Sequence, residues 1–235
     1  MNDKTVDPAF TKTVLQRAIH DLRAPLRHVL MHCEIFAEET AAIELNPEAE
    51  KAIEDIQLAV QRSQSVLAGL TKLVQHCWDE PTREATDIRM LIAGVWQSLE
   101  DVSPPDAKLS FSGEWPSLWI DEQQIGSVFT ELFGNSIRYR DEKQTLDIKV
   151  ACSQKLPSAV TISLSDNGLG VNPKYANQLT APFGVLPQSD VKVGPGVGLA
   201  LAQRIIERHG GSLAILAARG HGLAIEVNLP TGPAG

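Results

Sequence analysis

Four short stretches of this chain carry side chains whose types and spacing could do chemistry. The first is His20 followed by Asp21. A carboxylate beside an imidazole can hold the proton of one ring nitrogen, which makes the other a better nucleophile and stabilises the charge that develops during attack. Taken alone, a histidine on a helix surface is more often merely solvated. Pro25, five residues on, removes a backbone donor and loosens a helix at a cost of about 3 kcal/mol, which suggests a hinge. The second stretch is ELFGNSIRYR, in which Glu131, Asn135, Arg138 and Tyr139 recur at about one helical turn and share one side of a helix. The Asn135 amide oxygen is a hard ligand suited to Mg²⁺, Arg138 can reach phosphate oxygens, and Tyr139 offers a flat surface beside a purine. The third is Asp166-Asn167-Gly168-Leu169-Gly170, where glycines let the backbone approach a ligand and Asp166 can accept a hydrogen bond from an amino group. Asp-Asn-Gly is also a common turn. In the fourth, Gly194, Gly196 and Gly198 precede an apolar helix that opens at Leu199, so unpaired backbone amides face a bound anion. This run is not a phosphate loop, because it lacks the Lys-Ser/Thr end, and no clear strand leads into it as a dinucleotide turn requires.

The elements that position these residues follow from the apolar spacing. Leu15, Ile19, Leu22, Leu26, Val29, Cys33 and Phe36 form one seam at alternating steps of three and four, so residues 10–43 are predicted helical. Asn46-Pro47 interrupts the pattern, and Ile53, Ile56, Val60, Ser63, Leu67, Leu70, Val74 and Cys77 resume it. His20 comes one position after Ile19 and points away from the seam. Two striped helices cannot hide both stripes alone, which predicts a homodimer in which two hairpins form a four-helix bundle. The polar segment 81–86 reads as a linker between a helical module, 1–80, and a second module, 87–235. In the second module, helices are predicted at 88–99, 122–139 and 199–209, and strands at 109–111, 146–150, 160–164, 212–216 and 223–229. The mixture predicts an α+β chain whose second module is an α/β sandwich. The closing TGPAG is predicted disordered.

A chain of 235 residues with 43% apolar content can bury one mid-sized core and a smaller helical unit. Its formal charge of -8 argues against general attraction to nucleic acid or an anionic membrane. Cys33, Cys77 and Cys152 are three and far apart, unlike a zinc site or disulfide framework, and fit a reducing cytoplasm. No stretch reaches the roughly 20 apolar residues of a membrane span, so no direct membrane insertion is expected.

HDLRAPLRHV, from His20 to Val29, resembles the histidine box of sensor histidine kinases, especially the phytochrome-like group. The resemblance implies that His20 is the phosphoacceptor and that Asp21 acts as acid or base for transfer. Ala24 departs from the Thr or Asn common four residues after the histidine, a side chain associated with dephosphorylating the partner. ELFGNSIRYR resembles the asparagine box of the same kinases and of the ATPase superfamily that includes gyrase and the Hsp90 chaperones, in which a glutamate at the place of Glu131 activates water. DNGLG resembles the first glycine box, which assigns Asp166 to the adenine amino group and Gly168 and Gly170 to the nucleotide pocket. GPGVGLALAQRIIERHGG resembles the second glycine box, which adds Gly194, Gly196, Gly198 and Leu199. Ala181-Pro182-Phe183 is similar to a phenylalanine box, with Thr180 where a first aromatic is common, and the loop 184–193 between them would be a lid whose one cation is Lys192.

The boxes occur in family order over nearly the whole chain. That order implies a Bergerat-type ATP-binding domain, ATP and Mg²⁺ as cofactors with Asn135 on the metal, autophosphorylation of His20, and transfer to an aspartate of a response-regulator receiver domain. Three rival readings are a phosphotransferase or scaffold with a degenerate ATP domain, an ATPase that uses Glu131, and a kinase for protein serine like the mitochondrial dehydrogenase kinases, which His20, Asp21 and Pro25 disfavour.

Overall fold

A computed structural model describes residues 8–40, 46–78, 80–172, 174, 179–181, 196–216 and 222–232. The chain divides into two compact units, residues 1–78 and 79–235.

The first unit is a hairpin of α1 (Pro8–Thr40) and α2 (Pro47–Trp78). Asn46 opens α2: its side-chain oxygen accepts from the Ala49 amide at 2.7 Å, and Pro47 takes the first helical position, where no N–H is needed. Helix α1 runs unbroken through Pro25, so the loosening predicted there leaves no interruption. The proline has no N–H to donate to the Asp21 carbonyl one turn before it.

The single seam expected on α1 separates into two. Ile19, 6% exposed, and Leu26 pack with Leu67, Leu70 and Val74 of α2. Leu15, Leu22, Val29 and Phe36, each seven residues from the next, remain exposed. Helix α2 repeats the division, with Val60, Leu67 and Val74 buried and Ile56 exposed. A repeat of 3.5 residues draws two adjacent stripes on each helix, and one antiparallel neighbour covers only one of them. The Arg23 guanidinium donates to the Thr71 hydroxyl at 2.6 Å, and that hydroxyl donates to the Leu67 carbonyl at 2.7 Å. The side chain of Cys77 lies outside the described residues.

The second unit contains β1 (Glu84–Asp87), α3 (Ile88–Gln97), β2 (Lys108–Gly113), β3 (Ser117–Ile120), α4 (Glu122–Arg138), β4 (Asp147–Leu156), β5 (Ala159–Asp166), α5 (Gly198–Arg208), β6 (Ser212–Leu216) and β7 (Ala224–Pro230). Five strands form one sheet in the order β2-β4-β5-β7-β6; β2 and β4 are parallel and the other neighbours antiparallel. Alternation decides the faces. Ile148, Val150, Cys152, Val160, Ile162, Leu164, Ile225, Val227 and Leu229 are buried, with Phe129, Leu132 and Phe133 of α4 and Leu201, Ile205 and Ile206 of α5. Thr161 alternates to the other face and donates to the Asn228 side-chain oxygen at 2.6 Å.

Three local expectations change. Residues 84–86, read as linker, lie in β1, which pairs antiparallel with β3 so that Thr86 faces Leu118 and Glu84 faces Ile120. Neither strand was predicted: β1 buries only Thr86, so its composition looks like a linker, and β3 is a four-residue strand behind Pro116. Strand β4 extends to Leu156, well past residue 150. Thr231 is tied to the fold through its amide to Ser158 and its hydroxyl to Pro157, whereas residues 233–235 lie outside the described residues.

Candidate functional site

The inward face of α4 runs Ile125, Phe129, Leu132, Ser136, so a hydroxyl continues an apolar stripe and needs a partner there. It finds one 30 residues away: the Ser136 hydroxyl donates to Asp166 Oδ2 at 2.9 Å. Asp166 Oδ1 accepts from the amides of Gly168 at 2.9 Å and Leu223 at 3.2 Å. The loop after β5 is also joined to the end of α4, because the Leu169 amide donates to the Tyr139 carbonyl at 2.9 Å. A Cβ on Gly168 would lie 2.6 Å from that carbonyl oxygen, so only glycine allows this approach. Gly170, at φ +72°, packs against the backbone of Gly222. Asn167 is structural: its Oδ1 accepts from the Asp147 amide and its Nδ2 donates to the Thr145 carbonyl, both at 2.9 Å.

Asn135 and Tyr139 are half-buried, and Arg138 is exposed. The Arg138 guanidinium lies 3.4 Å from Asn135 Oδ1, so the two polar groups are neighbours, as the helical spacing predicts. Gly198 begins α5 directly against Glu131; a Cβ there would be 2.5 Å from Glu131 Oε2. This contact brings the second glycine segment to the same helix that receives the first. Gly196 takes φ +67°, Val197 supplies no capping side-chain bond to α5, and Leu199 is half-buried in its first turn. Lys192, Gly194, Phe183 and the loop 184–193 lie outside the described residues.

Sequence reasoning missed Ser136 and Leu223. Ser136 had a readable signal, a polar residue at an inward position of an apolar stripe. The Leu223 contact had none, since only the return of the chain into β7 brings its amide to Asp166.

His20 and Asp21 belong to the helical unit. The His20 side chain is 84% exposed and its Nδ1 lies 3.2 Å from Asp21 Oδ1. If Nδ1 carries the proton it donates to the carboxylate and leaves the Nε2 lone pair toward solvent. Ala24, one turn on, is exposed.

A second histidine joins elements of the second unit. His209, 3% exposed, accepts the Asp121 amide on Nε2 at 3.1 Å and donates from Nδ1 to the Ile205 carbonyl at 2.8 Å. Burial pushes its pKa below 6.5; the carbonyl opposes this, Arg83 and Arg208 lower it further, and Asp121 raises it. Asp121 also caps α4 through Gln124 and accepts the Thr82 amide at 2.8 Å, so one node ties 82, α4 and α5 together.

Residues 120–233 match the family described as histidine kinase-, DNA gyrase B-, and HSP90-like ATPase. Cyanobacterial phytochrome B of Nostoc sp. is 28% identical over 207 residues, covering 87% of this chain and 27% of its own length. The methanogenesis regulatory histidine kinase FilI of Methanothrix harundinacea is 27% identical over 214 residues, covering 90% of this chain and 24% of its own. Residues 120–233 thus form an ATPase domain of the kind shared by histidine kinases, DNA gyrase B and HSP90, and the chain is similar to sensor histidine kinases over about nine-tenths of its length. It spans about a quarter of the length of these two relatives. The fold is also that of full-length ShkA solved in complex with AMPPNP, at a TM-score of 0.66 and 18% identity over 95% of this chain and 47% of the other.

The donor set fits an adenine nucleotide: the Asp166 carboxylate at the end of β5 oriented by three donors, the hard amide oxygen of Asn135 on α4, and two glycines at which a side chain would strike its neighbours. Among the described residues, no helix is long and apolar enough to cross a membrane.

Proposed function

We propose that this chain uses ATP to phosphorylate His20 and passes the phosphoryl group to an aspartate of a response regulator, as a homodimer in the cytoplasm. The observation that carries the reading is the exposed His20 imidazole with Nδ1 beside Asp21, which prepares Nε2 as the nucleophile. In the transfer, the Nε2 lone pair forms the N–P bond as the bond from the γ-phosphorus to the β,γ-bridging oxygen breaks. ADP leaves, and the positive charge on the ring is relieved when Nδ1 releases its proton to Asp21.

Residues 1–80 serve dimerisation and phosphotransfer, and residues 87–235 bind the nucleotide. Asp166 accepts the adenine amino group, with Gly168, Gly170 and Tyr139 around the base. Arg138, the start of α5 at Gly196, Gly198 and Leu199, and Lys192 with Gly194 hold the phosphates. Asn135 Oδ1 is a hard oxygen that suits Mg²⁺, which spreads the phosphate charge when bound. The exposed heptad stripe Leu15, Leu22, Val29 and Phe36 supports the dimer, since a second hairpin offers the same stripe in return.

The test is incubation with γ-labelled ATP and Mg²⁺, scored for acid-labile, base-stable label on the wild type, His20→Gln and Asn135→Ala. Label lost in both variants supports the proposal. Rapid ADP release without label, abolished by Glu131→Gln, would replace it with an ATPase, and a folded dimer that binds no ATP would replace it with a phosphotransferase or scaffold.

A further inference from the structure

Helix α1 carries two more imidazoles that phosphotransfer at His20 does not use. His28 and His32 are both exposed and four residues apart on a continuous helix, so they stand one above the other with Cβ atoms about 5–6 Å apart. At 3.6 residues per turn, His28 lies half a turn around the helix from Ile19, on the side away from α2. The same outward side bears Met31 and Ile35, 43% and 41% exposed. Neither belongs to the stripe that packs on α2 or to the heptad stripe left for a second copy, so two imidazoles sit within an apolar patch that no packing in the hairpin explains.

We propose that His28 and His32 chelate one borderline-soft divalent transition-metal ion, Zn²⁺ or Cu²⁺. Imidazoles at this spacing on a helix bind such an ion through one nitrogen each, as in the zinc helices that place two histidines four residues apart. Nitrogen donors disfavour Mg²⁺ and Ca²⁺, and the order of divalent affinities puts Cu²⁺ above Zn²⁺ for the same pair. The Met31 thioether, one residue before His32, adds a soft neighbour. Among the described residues no group of three or more His, Cys, Asp or Glu is placed to hold a metal, so water or a docked molecule completes the coordination. His20 is eight residues away, about 12 Å along the helix, and stays outside this site. Because an ion joined to residues four apart holds a helical turn closed, occupancy stiffens α1 just beyond Pro25.

The experiment is calorimetric titration of the full chain with Zn²⁺, paired with Cu²⁺ electron paramagnetic resonance, on wild type, His28→Ala, His32→Ala, the double variant and His20→Gln. Wild type and His20→Gln are expected to take one ion per chain with the resonance signature of two nitrogens, and each single alanine variant to weaken binding by roughly tenfold or more. Undiminished binding in the double variant, or binding seen only at millimolar metal, would overturn the site. The outcome is separate from kinase activity: His32→Ala, outside the histidine box, keeps the label on His20 in metal-free buffer, so loss of metal binding and loss of autophosphorylation are read independently.

Discussion

The Ser136 hydroxyl on α4 holds Asp166 Oδ2 at 2.9 Å, and the amides of Gly168 and Leu223 hold Oδ1. The orientation of the carboxylate therefore depends on three separate parts of the chain. Ser136→Ala removes one donor to a carboxylate, worth about 1.5 kcal/mol, and is expected to weaken ATP binding by roughly tenfold. Displacement of a fluorescent ATP analogue measures it. Unchanged affinity would mean that the two backbone amides orient Asp166 without help.

Gly168 and Gly198 should respond differently to alanine. The new methyl at 168 meets the Tyr139 backbone carbonyl at 2.6 Å, which cannot withdraw without breaking the end of α4. At 198 it meets the end of the Glu131 side chain at 2.5 Å, which can rotate. Thermal unfolding should show Gly168→Ala as the more destabilising change, with Gly198→Ala keeping a melting temperature close to wild type.

Leu22, 53% exposed, and Val29 lie on the uncovered stripe of α1, whereas Ile19 lies on the covered one. Leu22→Lys with Val29→Lys is expected to give a helical monomer by light scattering. Ile19→Ala instead opens a cavity within the hairpin and should cost about 2–5 kcal/mol of its stability without targeting the partner face. A dimer that survives both lysines would place the interface elsewhere.

His209 sets a pH dependence whose sign follows from its environment. Burial holds its folded pKa below 6.5, so below pH 6.5 the unfolded chain binds a proton that the folded chain does not. The stability it contributes is fully present above pH 6.5 and is lost as the pH falls through that value toward the folded pKa. Urea unfolding of wild type and His209→Gln between pH 5 and 8 should show a steeper acid loss in the wild type. Equal slopes would mean that His209 takes up its proton at the same pH in the folded and the unfolded chain.

Local patterns alone located α1, α2, α4 and α5, because each carries an apolar stripe at helical spacing, and placed β5 and β7 through strict alternation. They also put Asn135 beside Arg138 and turned His20 away from Ile19, since spacing on one helix fixes the angle between side chains. What lay between elements was not written in any one segment. Strand β1 exists because β3 supplies its hydrogen bonds, and the partners of Ser136, Gly168 and Gly198 come from Asp166, Tyr139 and Glu131, 29 to 67 residues away. The division of one seam into a covered and an uncovered stripe was decided when α2 settled over Ile19 and Leu26. Spacing specifies which residues share a face. Only the folded chain decides what each face meets, because burial and hydrogen bonding are satisfied by the nearest group in space, whatever its distance along the sequence.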